Sequence, residues 1–511
     1  MKKRLARIFK APWYPFTIAV YPALALLAYN ISEVDAPAGL RSSLIVLAGV
    51  GLLYLLLRLV YRNWHAAAFA SAILTALFFT YGHVYDKVAE TWTIPSLTAI
   101  LLSLWGLLIG LGLFWAWRGR TRVRGAALTL NVVSLGLVVY SLGSVLIFSA
   151  PPAVTSTAPV DDYAPVQMLS VPEGTIPPDI YYIIIDSYGR SDLVETAFDY
   201  DNSAFLTRLE ELGFSVADCA QSNYNRTDVS MASSFNLDYL QNLDDDFQPG
   251  STTRRTLWAS VGRSTVRANL EAAGYKTVAF ATGFAWSEIE DADVYLTPPP
   301  FWSQMTGFET LLIRTTPLRH FEDLGWINLD AIDGERYRER TELILSSMDD
   351  LAAMPGPKFV FIHIIQPHPP FIFAPDGSPT DPAPFLNEDD RYTYASYTQG
   401  YHNQVAYITG QLQTAVETLL AESATPPIIV LQGDHAPWLQ TGVGKFLILN
   451  AYYLPGHSDL PYDTMSPVNT FRLIFDTYFG TDYGLLPDTS YYSPIPNIYE
   501  FEEYPNPCLD Q

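Results

Sequence analysis

Five apolar stretches crowd the first 150 residues, and each is long enough to cross a lipid bilayer. At 1.5 Å per helical residue, about 20 residues span a ~30 Å hydrocarbon core. The stretches lie near Tyr14–Ile31, Ser42–Val60, Ala66–Tyr85, Ser96–Trp117 and Gly125–Phe148. The first follows Lys2, Lys3, Arg4, Arg7 and Lys10, as the core of a signal peptide would. No small-residue cleavage site stands out after it and four further spans follow, so it reads as an uncleaved helix. No acidic or basic residue sits mid-span, where a transporter or proton channel usually needs one. His65 and His83 are placed at helix ends, and Trp92, Trp105, Trp115 and Trp117 mostly near the interfaces. This region reads as an anchor, which could also cradle a lipid-linked substrate.

Orientation follows from the Lys/Arg bias of the short loops. One set of segments carries the basic tail, Arg58 with Arg62, and the four arginines of Arg118–Arg124. The other set carries only Arg41 and Lys87, beside Glu33, Asp35, Asp86 and Glu90. Five spans with the N-terminus in the cytoplasm put residues 151–511 outside it.

The chain's 30 Lys/Arg and 53 Asp/Glu divide as 13 and 4 over residues 1–150, leaving 17 and 49 beyond. A net charge of −32 there repels phosphate backbones, which excludes a nucleic-acid partner. Two cysteines in 511 residues exclude a disulfide scaffold or a cysteine-built zinc cluster. Outside the cytoplasm Cys219 and Cys508 either pair, pinning the tail, or remain free thiols.

Pro151–Asp179 is rich in Pro, Ser, Thr and Asp and reads as a linker. Beyond it Ile180–Ile185, Lys276–Ala281, Lys358–Ile365, Ile428–Leu431 and Lys445–Ala451 are short apolar runs rich in β-branched residues. Helical-looking stretches such as Ser203–Leu212, Ser264–Ala273, Arg338–Leu351 and Tyr401–Ala421 lie between them. Buried strands alternating with helices predict an α/β/α sandwich around a largely parallel sheet. The expected organisation is a five-helix transmembrane region over 1–150, a linker over 151–177, the sandwich over 178–485 and a tail over 486–511 that wraps the surface.

In such sheets ligands gather at the carboxyl ends of the strands. Ile180–Ile185 runs into Asp186-Ser187-Tyr188-Gly189-Arg190, and Ile428–Leu431 into Gln432-Gly433-Asp434-His435. Two carboxylates and an imidazole suit a divalent cation such as Zn²⁺ or Mn²⁺. Gly433 is expected to permit the tight turn that aims Asp434 and His435 at one point. Each piece alone is bland, since an Asp after a strand is most often a turn or cap residue. A hydroxyl comes from Ser222-Asn223-Tyr224-Asn225-Arg226-Thr227-Asp228. Thr227 precedes a helical segment, Val229 to Leu240, and is either an N-cap or a group activated by the helix N-terminus and a metal.

Taken in order, Asp-Ser-Tyr-Gly-Arg, Asn-Tyr-x-x-Thr with Ser-x-Ala-Ser-Ser, Pro-His-Pro-Pro-Phe and Gly-Asp-His resemble the sulfatase-like branch of the alkaline phosphatase superfamily. With its five-helix anchor the chain resembles lipoteichoic acid synthases and, more loosely, phosphoethanolamine transferases. The resemblance implies one divalent metal (Mn, Zn or Mg) held by Asp186, Thr227, Asp434 and His435, with Asp186 where the synthases have Glu. It implies Thr227 as nucleophile and His368 as the group beside the phosphoryl oxygens or the leaving group. Arg190, Arg226, His402 and Asn469 are weaker substrate-binding candidates, for which surface or capping roles compete. The implied activity is phospho-group transfer or phosphodiester cleavage on a lipid-linked or envelope-glycan substrate at the bilayer. The runners-up are sulfuric-ester or phosphomonoester hydrolysis and a non-catalytic envelope binding protein. One departure bears on this choice. Sulfatases proper mature a Cys or Ser within Cys/Ser-x-Pro-x-Arg, whereas Cys219-Ala220-Gln221-Ser222-Asn223 lacks both Pro and Arg. No second set of Asp/His ligands is evident.

His363 reads as a satisfied core residue on a buried strand, and His320 and His457 have no evident partner. Trp286–Phe321, with Pro298-Pro299-Pro300, is an excursion that could form a wall over the site.

Overall fold

The computed structural model describes residues 11–31, 38–92, 94–149, 167–171, 174–251, 253–284, 286–299, 305–382 and 392–510. Most of the expected linker, and Pro300 in the excursion, lie outside the described residues. The chain divides into two compact units. One comprises Met1–Ala153 with Phe301–Asp333, the other Val154–Pro300 with Gly334–Gln511.

The first unit is a helical membrane bundle of α1 (Tyr14–Tyr29), α2 (Ala38–Tyr61), α3 (Trp64–Thr91), α4 (Leu97–Arg118) and α5 (Arg120–Ser149). Helices α2 to α5 each contain a span long and apolar enough to cross a membrane, while α1 has only 16 residues. Without water between helices, packing rests on small residues and a few internal hydrogen bonds. Helix α3 buries Ala66, Ala67, Ala68, Ala70 and Ala72. Thr17 of α1 meets Ser134 of α5 at 2.7 Å, and Trp105 Nε1 donates to the Leu77 carbonyl at 2.7 Å. Two expectations shift here. Trp105 is buried mid-helix rather than interfacial, and α3 continues to Thr91, so His83 lies inside a helix.

Residues 305–324 belong to this unit too. A capping box, Thr306 with Glu309, starts the helix α6 (Gly307–Arg314). Arg41 of α2 forms a two-pronged ion pair with Glu309, and Arg319 Nη1 donates to Asp86 Oδ1 at 2.6 Å. His320 does have a partner, since its Nε2 lies 2.7 Å from the Tyr81 hydroxyl. The Gly82 amide donates to the Thr315 carbonyl at 2.8 Å. A Cβ at Gly82 would stand 2.2 Å from the Arg314 carbonyl oxygen, so only glycine allows this approach.

The second unit is built on a seven-stranded sheet, in the order β2-β7-β6-β1-β5-β3-β4. Its strands are β1 (Ile180–Ile185), β2 (Ser215–Val216), β3 (Lys276–Phe280), β4 (Val294–Leu296), β5 (Lys358–Ile364), β6 (Ile428–Gly433) and β7 (Asn450–Tyr453). The pairings among β6, β1, β5, β3 and β4 are parallel, and β7 runs antiparallel to β6. Lys445–Ala451, which reads as one strand, divides into a 3-10 turn at Gly442–Phe446 and then β7. Lys445 and Gly444 belong to the turn, and the pairing with β6 begins only at Asn450.

Strand β1 is buried along its whole length. Tyr181, Ile183 and Ile185 share a core with Tyr401, Val405, Ile408 and Leu412 of helix α8 (Tyr394–Glu422). On the other face Tyr182 meets Phe235 of α7 (Thr227–Phe235) and Phe471 of α9 (Thr470–Phe479), at ring separations of 5.4 and 4.9 Å. Each such buried aliphatic or aromatic side chain contributes about 1.5–3 kcal/mol. Two covered faces make the α/β/α sandwich, which explains why β1 reads as a continuous apolar run.

The C-terminal segment is part of this unit, not a surface wrap. Ser490, Ser493, Ile498 and Tyr499 are buried, and β8 (Ser490–Tyr492) pairs with β9 (Glu502–Tyr504). Cys508 is joined to Cys219 by a disulfide.

Candidate active site

The site starts from strand register. Parallel pairing sets Ile185 of β1 against Gly433 of β6 and against Ile364 of β5. Asp186 and Asp434 therefore leave adjacent strands at the same level. Ser187 ties them together from a left-handed backbone position, φ 61°. Its amide donates to Asp434 Oδ1 at 2.9 Å, and its hydroxyl donates to Asp186 Oδ1 at 3.1 Å. A strained conformation of this kind persists only where the surroundings over-determine it. Here Tyr401 also donates its hydroxyl to the Ser187 carbonyl at 2.9 Å.

Gly433 matters for a reason other than a turn. Its φ is not in the left-handed region, but a Cβ would lie 2.5 Å from the Tyr188 carbonyl oxygen and 3.1 Å from Ile448 Cβ. Close passage of neighbouring backbone is what requires glycine.

Thr227 is the first residue of α7; its N-cap is Arg226, whose side chain makes no capping bond. Thr227 Oγ1 instead lies 3.2 Å from His435 Nε2. His435 Nδ1 is 2.8 Å from the Ala436 carbonyl, which orients the ring and leaves Nε2 toward the cluster. His435 Nε2 lies 3.6 Å from Asp186 Oδ1 and 3.6 Å from Asp434 Oδ2. Those separations exceed a hydrogen bond but suit two atoms each bonded at about 2.0–2.2 Å to one shared cation.

His363 is the residue the sequence reading misplaced. It is buried, as a core residue should be, but neither ring nitrogen has a hydrogen-bond partner. Its Nε2 lies 3.6 Å from Asp186 Oδ2, and one ligand atom from each of Asp186, His363 and Asp434 falls within 4.8 Å of the others. Asp434 Oδ2 is likewise buried without a hydrogen bond. Buried polar atoms left unpaired in this way are expensive unless a ligand satisfies them, and two carboxylates with two imidazoles suit a divalent cation. The available signal was positional: His363 lies opposite Ile184 near the end of a strand flanking β1.

The charges reinforce one another. Burial opposes ionisation of Asp186, but His368, His363 and His435 outweigh it and hold that carboxyl well below the usual range. Burial and the neighbouring Asp186 push Asp434 up. On His435 burial works against charge, and Asp434 and Asp186 overcome it and raise its pKa.

The other candidates separate. The rings of His368 and His435 are 6.4 Å apart, so His368 belongs to the cluster. Arg226 donates to Asp228 at 3.3 Å, feels His435, and keeps a buried Nη1 without a hydrogen bond. Arg190 forks onto Asp192. His402 Nδ1 is 2.9 Å from the Phe198 carbonyl. The Asn469 amide is consumed by Leu486, Asp488 and Tyr462. His402 and Asn469 hold loops together, while Arg190, like Arg226, keeps a buried Nη1 without a hydrogen bond. The loop before Thr227 is held from the C-terminal segment: Asn225 Oδ1 accepts from the Ser493 amide at 2.6 Å, and the Tyr491 amide donates to the Asn223 carbonyl at 2.8 Å.

The family model for sulfatases matches residues 178–471, more than half of the chain. The chain belongs to the sulfatase family. It is thus an enzyme of the alkaline phosphatase superfamily carried on membrane helices. No curated protein matches this sulfatase-family chain. Among solved structures it is similar to the integral membrane lipooligosaccharide phosphoethanolamine transferase A from Neisseria meningitidis, at 11% identity and TM-score 0.40, covering 92% of this chain and 95% of that one. It is similar to the C-terminal periplasmic domain of EcEptC from Escherichia coli in complex with Zn, at 13% identity and TM-score 0.39, covering 61% and 86%. A third is the phosphonate monoester hydrolase of Agrobacterium radiobacter, at 13% identity and TM-score 0.39, covering 63% and 82%.

Proposed function

We propose that this protein is a membrane-anchored, metal-dependent phosphotransferase or phosphodiesterase that acts outside the cytoplasm on a lipid-linked or envelope-glycan phosphoester. The observation that carries this reading is the Thr227 hydroxyl at a helix N-terminus, 3.2 Å from His435 and facing the buried Asp186–Asp434 pair. The Lys/Arg asymmetry of the loops supports an N-terminus in the cytoplasm and five spans, with α1 as the first. The Cys219–Cys508 disulfide agrees, because disulfides persist in oxidising compartments.

Asp186, Asp434, His435 and Thr227 would hold one divalent cation (Mn, Zn or Mg), with His363 completing the set behind Asp186. When bound, the cation supplies Lewis acidity that favours the ionised Thr227 hydroxyl and polarises the ester oxygen. The positive end of α7 favours the same ionised form. Thr227 Oγ1 attacks phosphorus in line, and the bond to the leaving oxygen breaks as His368 gives that oxygen a proton. Arg226 steadies the phosphoryl oxygens. Water or a glycan hydroxyl then takes the phosphoryl group from Thr227 and returns a proton to His368.

Sulfate-ester chemistry by the formylglycine route is disfavoured, because Cys219 is bound in the disulfide. The full chain, reconstituted in lipid with Mn²⁺, Zn²⁺ or Mg²⁺, should turn over a phosphodiester and yield a phospho-Thr227 adduct by intact mass and peptide mapping. Preferred turnover of a sulfate ester without that adduct would overturn the reading.

A further inference from the structure

The chain that follows His435 turns back on itself at once. The Ala436 amide donates to the Lys445 carbonyl at 3.2 Å, which closes a loop over residues 436–445. Within it the Gln440 amide donates to the Pro437 carbonyl at 3.2 Å and the Gly444 amide to the Thr441 carbonyl at 3.1 Å. Compact loops with joined ends hold their own shape and frequently carry function. Trp438, three residues past His435, is 54% exposed on this loop. Its position is nevertheless fixed. The indole lies 5.3 Å from the ring of Tyr397 on α8, inclined by 32°, and the Trp438 amide donates to the Tyr397 hydroxyl at 3.3 Å. Phe371, three residues past His368, packs on the same buried Tyr397 at 5.2 Å. The indole thus rests on a layer shared by the two segments that bring His435 and His368 to the site.

Among the described residues of the α/β unit, Trp438 and Tyr394 are the exposed aromatic side chains, the latter at 66%. Both stand at one end of α8, since Tyr394 precedes Tyr397 by three residues, a spacing that makes neighbours on a helix face. A single exposed aromatic is ordinary, but two gathered at the rim of a site on a buried aromatic layer point to a ligand. The surroundings narrow its chemistry. Neither Tyr392–Gln404 nor Ala436–Gly444 contains Lys, Arg, Asp or Glu, although residues 151–511 carry a net charge of −32. Beside the indole the loop offers the neutral amide of Gln440 and the hydroxyl of Thr441.

We infer that Trp438 stacks on a pyranose ring of the substrate, which makes the substrate a glycan phosphoester. A sugar ring has apolar C–H faces edged by hydroxyls, and it complements a flat aromatic face bordered by neutral hydrogen-bonding groups. A quaternary ammonium group calls for an aromatic cage, and an anionic bilayer surface calls for clustered Lys and Arg. These two segments supply neither. The Thr227 reading contributes only that the ring belongs to the substrate; the stacking itself does not depend on it.

The test compares three methyl phosphodiesters that differ in their second alcohol: methyl glucoside through its 6-oxygen, choline, and butanol. The full chain carrying Thr227→Ala is reconstituted in lipid with Mn²⁺ in excess, so that no turnover intrudes, and ligand-observed NMR against protein-free vesicles gives each Kd. The glucoside should bind about tenfold more tightly than the other two, the size of one good aromatic stacking contact. Adding Trp438→Ala should bring its Kd to theirs, while Trp438→Phe, which keeps an aromatic face, should retain most of the advantage. Equal binding of all three or of none, tighter binding of the choline or butyl ester, or an unchanged preference in Trp438→Ala overturns the inference. Turnover is followed separately on the chain with Thr227 intact, using the p-nitrophenyl ester of the same glucoside phosphate. A sugar preference without turnover or a phospho-Thr227 adduct supports the stacking site and overturns the phosphoryl-transfer reading, so the two failures are distinct.

Discussion

The membrane unit and the α/β unit solve the burial of polar groups in opposite ways. In the membrane bundle they are sparse and bond singly, as where Thr75 donates to the Ser71 carbonyl on its own helix and Thr17 meets Ser134 on another. The α/β unit buries a connected polar network instead. Gln432 alone bonds to Tyr182, Asn450, Tyr452 and Thr470 from three other segments. Among the buried polar atoms of that unit without a hydrogen bond, both ring nitrogens of His363 and Asp434 Oδ2 lie together beside Asp186. Several unpaired atoms within one cluster call for a ligand there.

The contrast can be pressed hardest at Thr227. Its hydroxyl is not used to cap α7, so removing it should leave the fold alone. Thr227→Ala should lower kcat by about 10⁴–10⁶-fold, the range for loss of a nucleophile, with an unchanged melting temperature. Steady-state kinetics beside circular dichroism would check it, and a comparable loss of stability would show that the hydroxyl is structural.

Next in size is the disulfide, whose two cysteines both lie in the α/β unit, 289 residues apart in the chain. Cys219→Ser with Cys508→Ser should cost that unit about 3–5 kcal/mol, while the membrane bundle keeps its stability. Chemical denaturation followed by proteolysis of each unit would separate the two. Equal loosening of both would break the comparison.

His363→Ala should weaken metal binding by about 10–100-fold, whether His363 binds the ion or orients Asp186. Isothermal titration calorimetry and metal analysis would read this without activity. The same titration should depend on pH with a definite sign. Asp434 and His435 both hold protons to higher pH than usual, and both must lose them to bind a cation. Affinity should therefore rise with pH, by up to about tenfold per unit for each proton displaced.

The smallest effect is expected in the membrane unit. Gly82→Ala drives a methyl into the Arg314 carbonyl and should cost about 1–3 kcal/mol, as overpacking does. Hydrogen exchange would show residues 305–324 released from α3, with the α/β unit unchanged.

Much was legible in the sequence. Charge-free apolar runs marked the membrane helices to within a few residues, except that α3 runs on through Asp86 and Glu90 to Thr91. Asp186, Thr227, Asp434, His435 and His368 were legible as candidates because each lies near the start or end of an element whose pattern is strong. His363 was not, since a histidine within a buried strand looks the same whether or not its nitrogens find partners. Nor was the use of residues 305–324, since nothing in Gly307–Arg314 announces that its Glu309 meets Arg41.

Sequence alone determined which segments are apolar enough to leave water, the parallel α/β pattern, the acidic balance and the chemistry on offer at the strand ends. These follow from transfer free energies and local periodicity, which are properties of a segment by itself. Tertiary structure decided which strand lies beside β1, that Cys219 meets Cys508, that the C-terminal segment braces the Thr227 loop, and that Asp186 stands between two imidazoles. Those are pairings between segments far apart in the chain. Their selection rests on the packing and polar satisfaction of the whole molecule, which no local stretch encodes.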